Sequence, residues 1–367
     1  MVKSKRILLS VPGITARGGV TTYFQVIKKE YTFDVIYLMR GNRTYPSRSN
    51  IANDLYRIVR DTFVFLYHVA FKSYDLVQTN TSFYRNSIMR DSVFIVLAKL
   101  FKVKTIVFFH GWDEILEKNI EKRLLKLFKY FYFKADACIV LSVDFKNKLT
   151  EWGYNRPVYV ETTIVDRELL ENITEQNILN KFANLNRSIN ILFLARIEKI
   201  KGIYEALKTF ELLKQKNASL VFTVVGDGQE LENIKKYVAE RSLIDINFLG
   251  FKTGTEIAKA FTAADIYLFP SYTEGMPTSV LEAMAFGLPI ITRPVGGLKD
   301  FFEDEKMGYL TETLDPAIFA KLIEKILLNP EKMKEMAIYN YNYARNNFLS
   351  DIVVKRIEHI YNHTIAS

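Results

Sequence analysis

The sequence predicts an α/β protein built from two doubly wound parallel sheets, and three observations lead there. Short apolar runs alternate with helical patterns along the whole chain, the rhythm of βα units. At 367 residues the chain exceeds the roughly 100 to 200 residues of one domain, so two such units are expected. The stretch Ala264 to Gly297, ADIYLFPSYTEGMPTSVLEAMAFGLPIITRPVGG, reads as strand (Ile266 to Pro270), polar turn (Ser271 to Pro277), helix ending near Gly287, and strand (Leu288 to Thr292).

In chain order, Arg6 to Val11 reads as a first strand, followed by the loop PGITARGGVTTYF. Gly18 and Gly19 open a helix there and let backbone amides approach a phosphate, although a plain turn fits the pair equally well. FDVIYLM, DLVQTN and KTIVFFHG read as strands between the helical patterns DLYRIVRDTFVFLYHVAF and SVFIVLAKLF. His68 lies in an apolar helical face and reads as a core or rim histidine. His110 ends the strand TIVFF, at the carboxyl end where ligands collect in such sheets.

Residues 116–134 place Lys118, Lys122, Arg123, Lys126, Lys129 and Lys134 among leucines and aromatics. Such a helix suits an anionic membrane surface, and it suits equally an ordinary surface helix with its apolar stripe on the sheet. ADACIVLS and VYVETTIV close a first domain, 1–165. Residues 166–188 read as a linker with a helix. The second domain, 166–348, opens with INILFLARIEKIKG, which puts Arg196 and Lys201 beyond a strand end, where a diphosphate needs neutralising. SLVFTVVGDGQ has Gly226 and Gly228 but lacks the third glycine of a dinucleotide fingerprint. Phe319 to Leu328 and Glu331 to Phe348 read as helices. In a last helix, residues 349–367, His359 and His363 are four apart without a third metal ligand, and read as a solvated face.

Composition narrows the class. Hydrophobic content of 49% and charged content of 25% are those of a globular chain and exclude disorder or a fibrous repeat. MVKSKRILLSVPG reads as a strand and not a signal peptide, because no small-residue cleavage site follows. Phe63 to Phe71 and Val93 to Phe101 fall short of the roughly 20 residues a membrane span needs. Cys138 is the only cysteine, so no internal disulfide forms, which fits a reducing cytosol and a small core residue. The net charge of +9 is unevenly placed: residues 1–165 hold 26 Lys and Arg against 14 Asp and Glu, residues 166–367 hold 24 against 27. No segment matches a nucleic-acid module.

Within Ala264 to Gly297, Glu274 and Glu282 bracket Gly275, Met276, Pro277, Thr278 and Ser279. The bland reading of Glu282 is a capping box with Ser279, and of Glu274 a solvated loop carboxylate. Together the two suit a site that grips hydroxyl-rich groups while helix N-terminal amides face a phosphate.

The segment EGMPTSVLE, flanked by FPSYTEG and GLPIITRPVGG, resembles the mark of glycosyltransferase family 4, Glu, seven residues, Glu. Arg196 followed by Lys201-Gly202, Gly226-Asp227-Gly228, NFLGF at Asn247 to Phe251, and HGWD from His110 are similar to that family as well. Ala195 stands where members often have glycine. The resemblance implies the GT-B fold, two Rossmann-like doubly wound domains facing across a cleft, with the last helix returning to the first domain. It implies a retaining hexosyltransferase-type enzyme moving a sugar from a nucleotide diphosphate sugar to a hydroxyl of a glycan or lipid-linked acceptor. By resemblance Glu274 contacts the donor sugar and Glu282 the ribose. Arg196 and Lys201 grip the phosphates, joined by Gly18, Gly19 and the loop Gly275 to Thr278, while His110 lies near the transferred sugar. Trp112 and Asp113 shape the acceptor pocket. No Asp-x-Asp motif is present and no metal or other cofactor is expected. The basic first half points to a cytoplasmic protein, peripheral on the inner face of the cell membrane through residues 116–134, and to bacterial surface polysaccharide synthesis, with no nucleic-acid partner. The rival readings are a non-catalytic or accessory sugar-nucleotide binder and a sugar-nucleotide epimerase on the same fold.

Overall fold

A computed structural model describes residues 4–13, 19–40, 51–183, 187–216 and 219–367, with side chains from 51–55 limited to Asn53. The chain divides into two compact units, Met1–Thr163 with Ser350–Ser367, and Ile164–Leu349.

The first unit begins with β1 (Arg6–Pro12), α1 (Gly19–Ile27), β2 (Asp34–Arg40) and α2 (Ile51–Phe71). It continues through β3 (Leu76–Thr81), α3 (Arg85–Leu100), β4 (Lys104–Phe109) and α4 (Glu114–Asn119). A π-helical turn, Ile120–Leu124, leads into α5 (Leu125–Tyr132), β5 (Ala137–Val140), α6 (Val143–Glu151) and β6 (Val158–Val160). The second unit runs α7 (Glu175–Ala183), β7 (Ile189–Leu194), α8 (Ile203–Lys214), β8 (Leu220–Val225), α9 (Leu231–Glu240) and β9 (Ile246–Gly250). It then adds α10 (Thr255–Ala263), β10 (Ile266–Phe269), α11 (Thr278–Ala285) and β11 (Ile290–Thr292). β12 (Gly308–Leu310), α12 (Pro316–Leu327) and α13 (Pro330–Asn347) complete it, and the final helix, α14 (Ser350–Ala366), belongs to the first unit.

Both sheets are parallel throughout. Among the described residues the first orders its strands β2-β1-β3-β4-β5-β6 and the second β12-β11-β10-β7-β8-β9. Parallel strands covered by helices on both faces are apolar without alternation, and β4 (KTIVFF) and β7 (INILFL) follow that rule. The winding reverses beside β1, between β2 and β3, and beside β7, between β8 and β10. Ligand crevices open at the carboxyl ends of strands at such reversals.

Local signals explain the helix starts. Asp113 caps α4 by accepting from Leu116 N at 2.6 Å, and Ser142 caps α6 by accepting from Phe145 N at 3.2 Å. Asp315 and Asn329 cap α12 and α13 just ahead of Pro316 and Pro330, proline at the first helical position needing no NH partner. The helical segment within 116–134 packs inward through Ile120, Phe128 and Tyr132 and leaves Lys118, Lys122, Arg123 and Lys126 exposed. Cys138 is buried in β5, where burial pushes its thiol pKa up to about 12. His68 is half-buried and hydrogen-bonds Tyr74 through Nδ1 at 2.6 Å.

Candidate functional site

In the second unit the loops after β7 and β10 flank the winding reversal and interlock. Tyr272 N donates to Ile200 O at 2.9 Å. Lys201 Nζ, from the first loop, reaches Glu274 Oε1, from the second, at 2.6 Å, with side chains 15% and 12% exposed. Ser271 Oγ donates to the same Glu274 oxygen at 2.9 Å. Glu274 is therefore no solvated loop carboxylate. It is one half of a largely buried ion pair that fastens two loops together.

Two glycines permit this approach. Gly202 has φ 77°, and a Cβ there would stand 2.1 Å from Pro270 O. Gly296 has φ 53°, and a Cβ there would stand 2.1 Å from Gly275 O and 2.5 Å from Glu274 O. Any other residue at either position would push a loop of the pair away. Arg293 adds a third tie, donating to Ser271 O and Tyr272 O at 3.2 Å and to Glu312 O.

The turn from Glu274 ends at α11, whose first residue is Thr278 and whose N-cap, Pro277, offers no side-chain acceptor. The capping box between Ser279 and Glu282 does not form. Ser279 lies one residue inside the helix and its Oγ shares a hydrogen bond of 2.7 Å with the hydroxyl of buried Tyr267, which also bonds Leu194 O at 2.8 Å. Glu282 is left half-buried in the second turn, and its carboxylate makes no hydrogen bond among the described residues. Burial, with a smaller contribution from Asp166, pushes its pKa up to about 8. Met276 and Pro277 are buried, Gly275 and Thr278 half-buried. Arg196 lies on the same strand-end loop as Lys201 but is 64% exposed and pairs with Glu198 at 2.9 Å.

In the first unit His110 follows β4 and its N donates to Thr81 O at 3.0 Å. The ring stacks on Phe108 at 3.9 Å and meets the edges of Tyr23 and Phe24 from α1 at 5.0 and 5.5 Å. Its Nε2 lies 2.9 Å from Asn80 Oδ1. Asn80 Nδ2 donates to Ser10 O at 3.0 Å, and Gln78 Nε2 donates to Asn80 Oδ1 at 2.7 Å. Those two bonds fix the Asn80 amide with its oxygen toward His110, so the neutral imidazole has its proton on Nε2 and a lone pair on Nδ1. Burial pushes the pKa of His110 down to about 3. The chain of bonds continues from Gln78 Oε1 to the hydroxyl of Tyr361 on α14 at 2.7 Å.

Of the other sequence-predicted residues, Gly19 begins α1, and a Cβ there would meet nothing within 4 Å. Gly18 lies outside the described residues. Trp112 is a core residue, stacked on Phe83 at 4.0 Å and on Phe145 at 4.8 Å, and Asp113 is the cap of α4. His363 Nδ1 hydrogen-bonds Tyr159 at 2.8 Å. Among the described residues no group of three or more His, Cys, Asp or Glu could hold a metal ion.

Sequence reasoning missed Asn80, Gln78 and Arg293. Arg293 shared the signal that singled out Arg196, a cation beyond a strand end. Asn80 and Gln78 had a different one, polar residues in a central strand all of whose residues are buried.

Two doubly wound Rossmann-like units are the architecture of GT-B structures, and the fold matches solved members of that class. Sucrose-phosphate synthase from Thermosynechococcus elongatus matches with a TM-score of 0.79 over 99% of each chain at 20% identity. HepE from Anabaena, in complex with UDP and glucose, matches with a TM-score of 0.71 over 98% of this chain and 99% of its own at 16% identity. Residues 175–343 match the model of the family described as glycosyl transferases group 1. That match covers a little under half of the chain and lies in the second unit, which is similar there to group 1 glycosyl transferases. The amylovoran biosynthesis glycosyltransferase AmsK of Erwinia amylovora is 28% identical over 62% of this chain. That alignment spans just over half of AmsK, 56% of its length.

Proposed function

We propose that the chain is a retaining hexosyltransferase of glycosyltransferase family 4, with EGMPTSVLE as its Glu-x7-Glu motif. It moves a sugar from a nucleotide diphosphate sugar to a hydroxyl of a glycan or lipid-linked acceptor in bacterial surface polysaccharide synthesis. The observation that supports this most is the Lys201–Glu274 pair beside the N-terminus of α11 at the winding reversal of the second sheet. A cation, a carboxylate and unpaired helix amides at one edge suit a diphosphate joined to a hydroxyl-rich sugar. The relatives fit: AmsK is named for amylovoran biosynthesis, and HepE was solved in complex with UDP and glucose.

As the bond from the sugar to the phosphate oxygen breaks, negative charge grows on the diphosphate and positive charge on the sugar. Lys201, Arg196 and the α11 amides neutralise the first. Glu274 turns from Lys201 to the sugar hydroxyls, and Glu282, otherwise unpartnered, accepts from the ribose. By the resemblance Gly18 and Gly19 take part in donor binding, and Gly275 to Thr278 line the donor. The acceptor oxygen attacks the same face of the sugar, and its proton passes to the departing phosphate oxygen. His110 orients the sugar or acceptor. No metal or other cofactor takes part. The protein works in the cytoplasm, and the exposed cations of residues 116–134 meet an anionic membrane surface.

The test is a thermal-shift screen against UDP, GDP, ADP, CMP and their common sugars, since a ligand binding only the folded state raises Tm. Stabilisation by one nucleotide, lost in Glu282→Ala, supports the reading. No shift from any of them, in well-folded protein, moves the weight to an accessory protein without donor binding.

A further inference from the structure

The inner face of α2 is ordinary: Phe65 and Val69 are 0% and 5% exposed, and Phe65 stacks on Phe94 of α3 at 4.3 Å. The opposite face is not. Tyr56, Val59, Phe63, Tyr67 and Phe71 follow one another at steps of three and four residues and are 66, 45, 67, 51 and 76% exposed. That spacing puts all five on one side of the helix, as a stripe about 22 Å long at 1.5 Å per residue. An amphipathic surface helix puts its polar residues on this side. Here the outward side is aromatic instead, and the rings of Tyr67 and Phe71 already touch, at 5.6 Å.

Charge says what covers it. Residues 56–104 contain eight Lys and Arg and three Asp. Asp61 and Asp91, the acids on α2 and α3 with described side chains, are 7% and 0% exposed. Lys72 Nζ sits 5.9 Å over the ring of Tyr67. α5 joins the same helical layer, since Tyr132 donates to Ile88 O of α3 at 3.0 Å, and Lys122, Arg123 and Lys126 are exposed beside it. A second copy docked through this face would bring cations against cations, whereas lipid phosphates supply the opposite charge. Tyrosine and phenylalanine rings suit the boundary between headgroups and acyl chains, apolar in body and wet at the hydroxyl.

We infer that α2 docks the protein on an anionic lipid bilayer, its aromatic stripe inserted at the headgroup boundary and Lys72, Lys122, Arg123 and Lys126 resting on lipid phosphates. The docking rests on the membrane contact proposed for residues 116–134 and adds α2 to it, but it needs neither sugar donor nor acceptor, so it fails or holds separately from the proposed reaction.

The experiment is co-sedimentation of the full chain with vesicles of phosphatidylcholine alone and of phosphatidylcholine mixed with phosphatidylglycerol. Binding is expected to the mixed vesicles only. It weakens when salt rises from about 0.1 to about 1 M, which shortens the Debye length from roughly 10 to 3 Å. Phe63→Ser with Tyr67→Ser and Phe71→Ser lowers binding at least about tenfold with Tm unchanged, because these side chains are exposed. Lys122→Ala with Arg123→Ala and Lys126→Ala lowers it as well. Equal binding by the aromatic variant and the parent overturns the inference, as does equal binding to both vesicle types. So does a dimer in sedimentation velocity that the aromatic variant abolishes, which would assign the stripe to a second copy.

Discussion

The two candidate sites are built on opposite electrostatics. At the carboxyl edge of the second sheet ion pairs dominate, Lys201 with Glu274 at 2.6 Å and exposed Arg196 with Glu198, while burial favours the protonated form of Glu282 beside them. At the carboxyl edge of the first sheet His110 sits in a chain of neutral amides and phenols that leaves it uncharged and fixes its tautomer. In the proposed reaction the first arrangement answers a charge that changes and the second supplies a direction that must not. Substitutions should therefore separate the two, one set acting on donor binding and stability, the other on turnover.

The largest effect is expected from Lys201→Met. It strands Glu274 without its cation in a site where both side chains are mostly buried. Breaking such a pair costs about 3 kcal/mol, and losing the phosphate cation lowers transfer by about a thousandfold. Adding Glu274→Gln should restore most of the stability in urea unfolding while leaving transfer abolished. A double variant as unstable as the single one would mean that the pair is not what holds the loops.

Next comes His110→Ala, for which kcat should fall by about a hundredfold with the donor Kd kept within about twofold. A parallel loss of donor affinity would erase the contrast between the units. Asn80→Leu removes the acceptor that fixes the Nε2–H tautomer, and kcat should fall by about tenfold. Nitrogen-15 spectra of the imidazole should show one tautomer in the parent and a mixture in the variant. Asn80→Asp puts a carboxylate beside the ring and should raise the His110 pKa, adding an inflection to a pH–rate profile that otherwise has none from this residue. An unchanged tautomer in Asn80→Leu would reduce Asn80 to a packing residue.

What the sequence could show of these sites follows the same division. The parallel α/β architecture was legible because strands buried on both faces leave continuous apolar runs, as in KTIVFF and INILFL. Arg196, Lys201 and Glu274 were legible as polar residues just beyond such runs. Their arrangement was not, since Lys201 meets Glu274 across 73 positions only because β7 and β10 are neighbours at the winding reversal. The histidine chain was harder still. QTNT sits inside β3, where local patterning expects apolar residues, and the partners of Gln78, Asn80 and Thr81 come from β1, α3, α14 and His110 just beyond β4, so only the folded topology accounts for these buried polar residues. Ser279 and Glu282 show the converse failure. Their spacing fits a capping box, yet the helix is capped at Pro277, two residues too early for it.

The smallest expected effect tests the ionised side of the comparison through pH. Glu282 in the free protein has its pKa raised by burial from 4.5 to about 8, so the folded state binds a proton that the unfolded chain releases across that window. Its contribution to stability is full below about pH 4.5 and is lost as pH rises to about 8. Glu282→Gln should accordingly flatten the decline of Tm between those values and raise Tm at the alkaline end. Donor binding should run the other way. Ribose hydroxyls donating to the carboxylate favour its charged form, so donor affinity should tighten from pH 6 to 8 with release of a proton, measurable by calorimetry in buffers of different ionisation enthalpy. In Glu282→Gln both the proton release and about fivefold of the affinity should disappear, the net share of one typical hydrogen bond. Proton release that survives the substitution would place the titrating group elsewhere and leave Glu282 as a helix residue without a ligand.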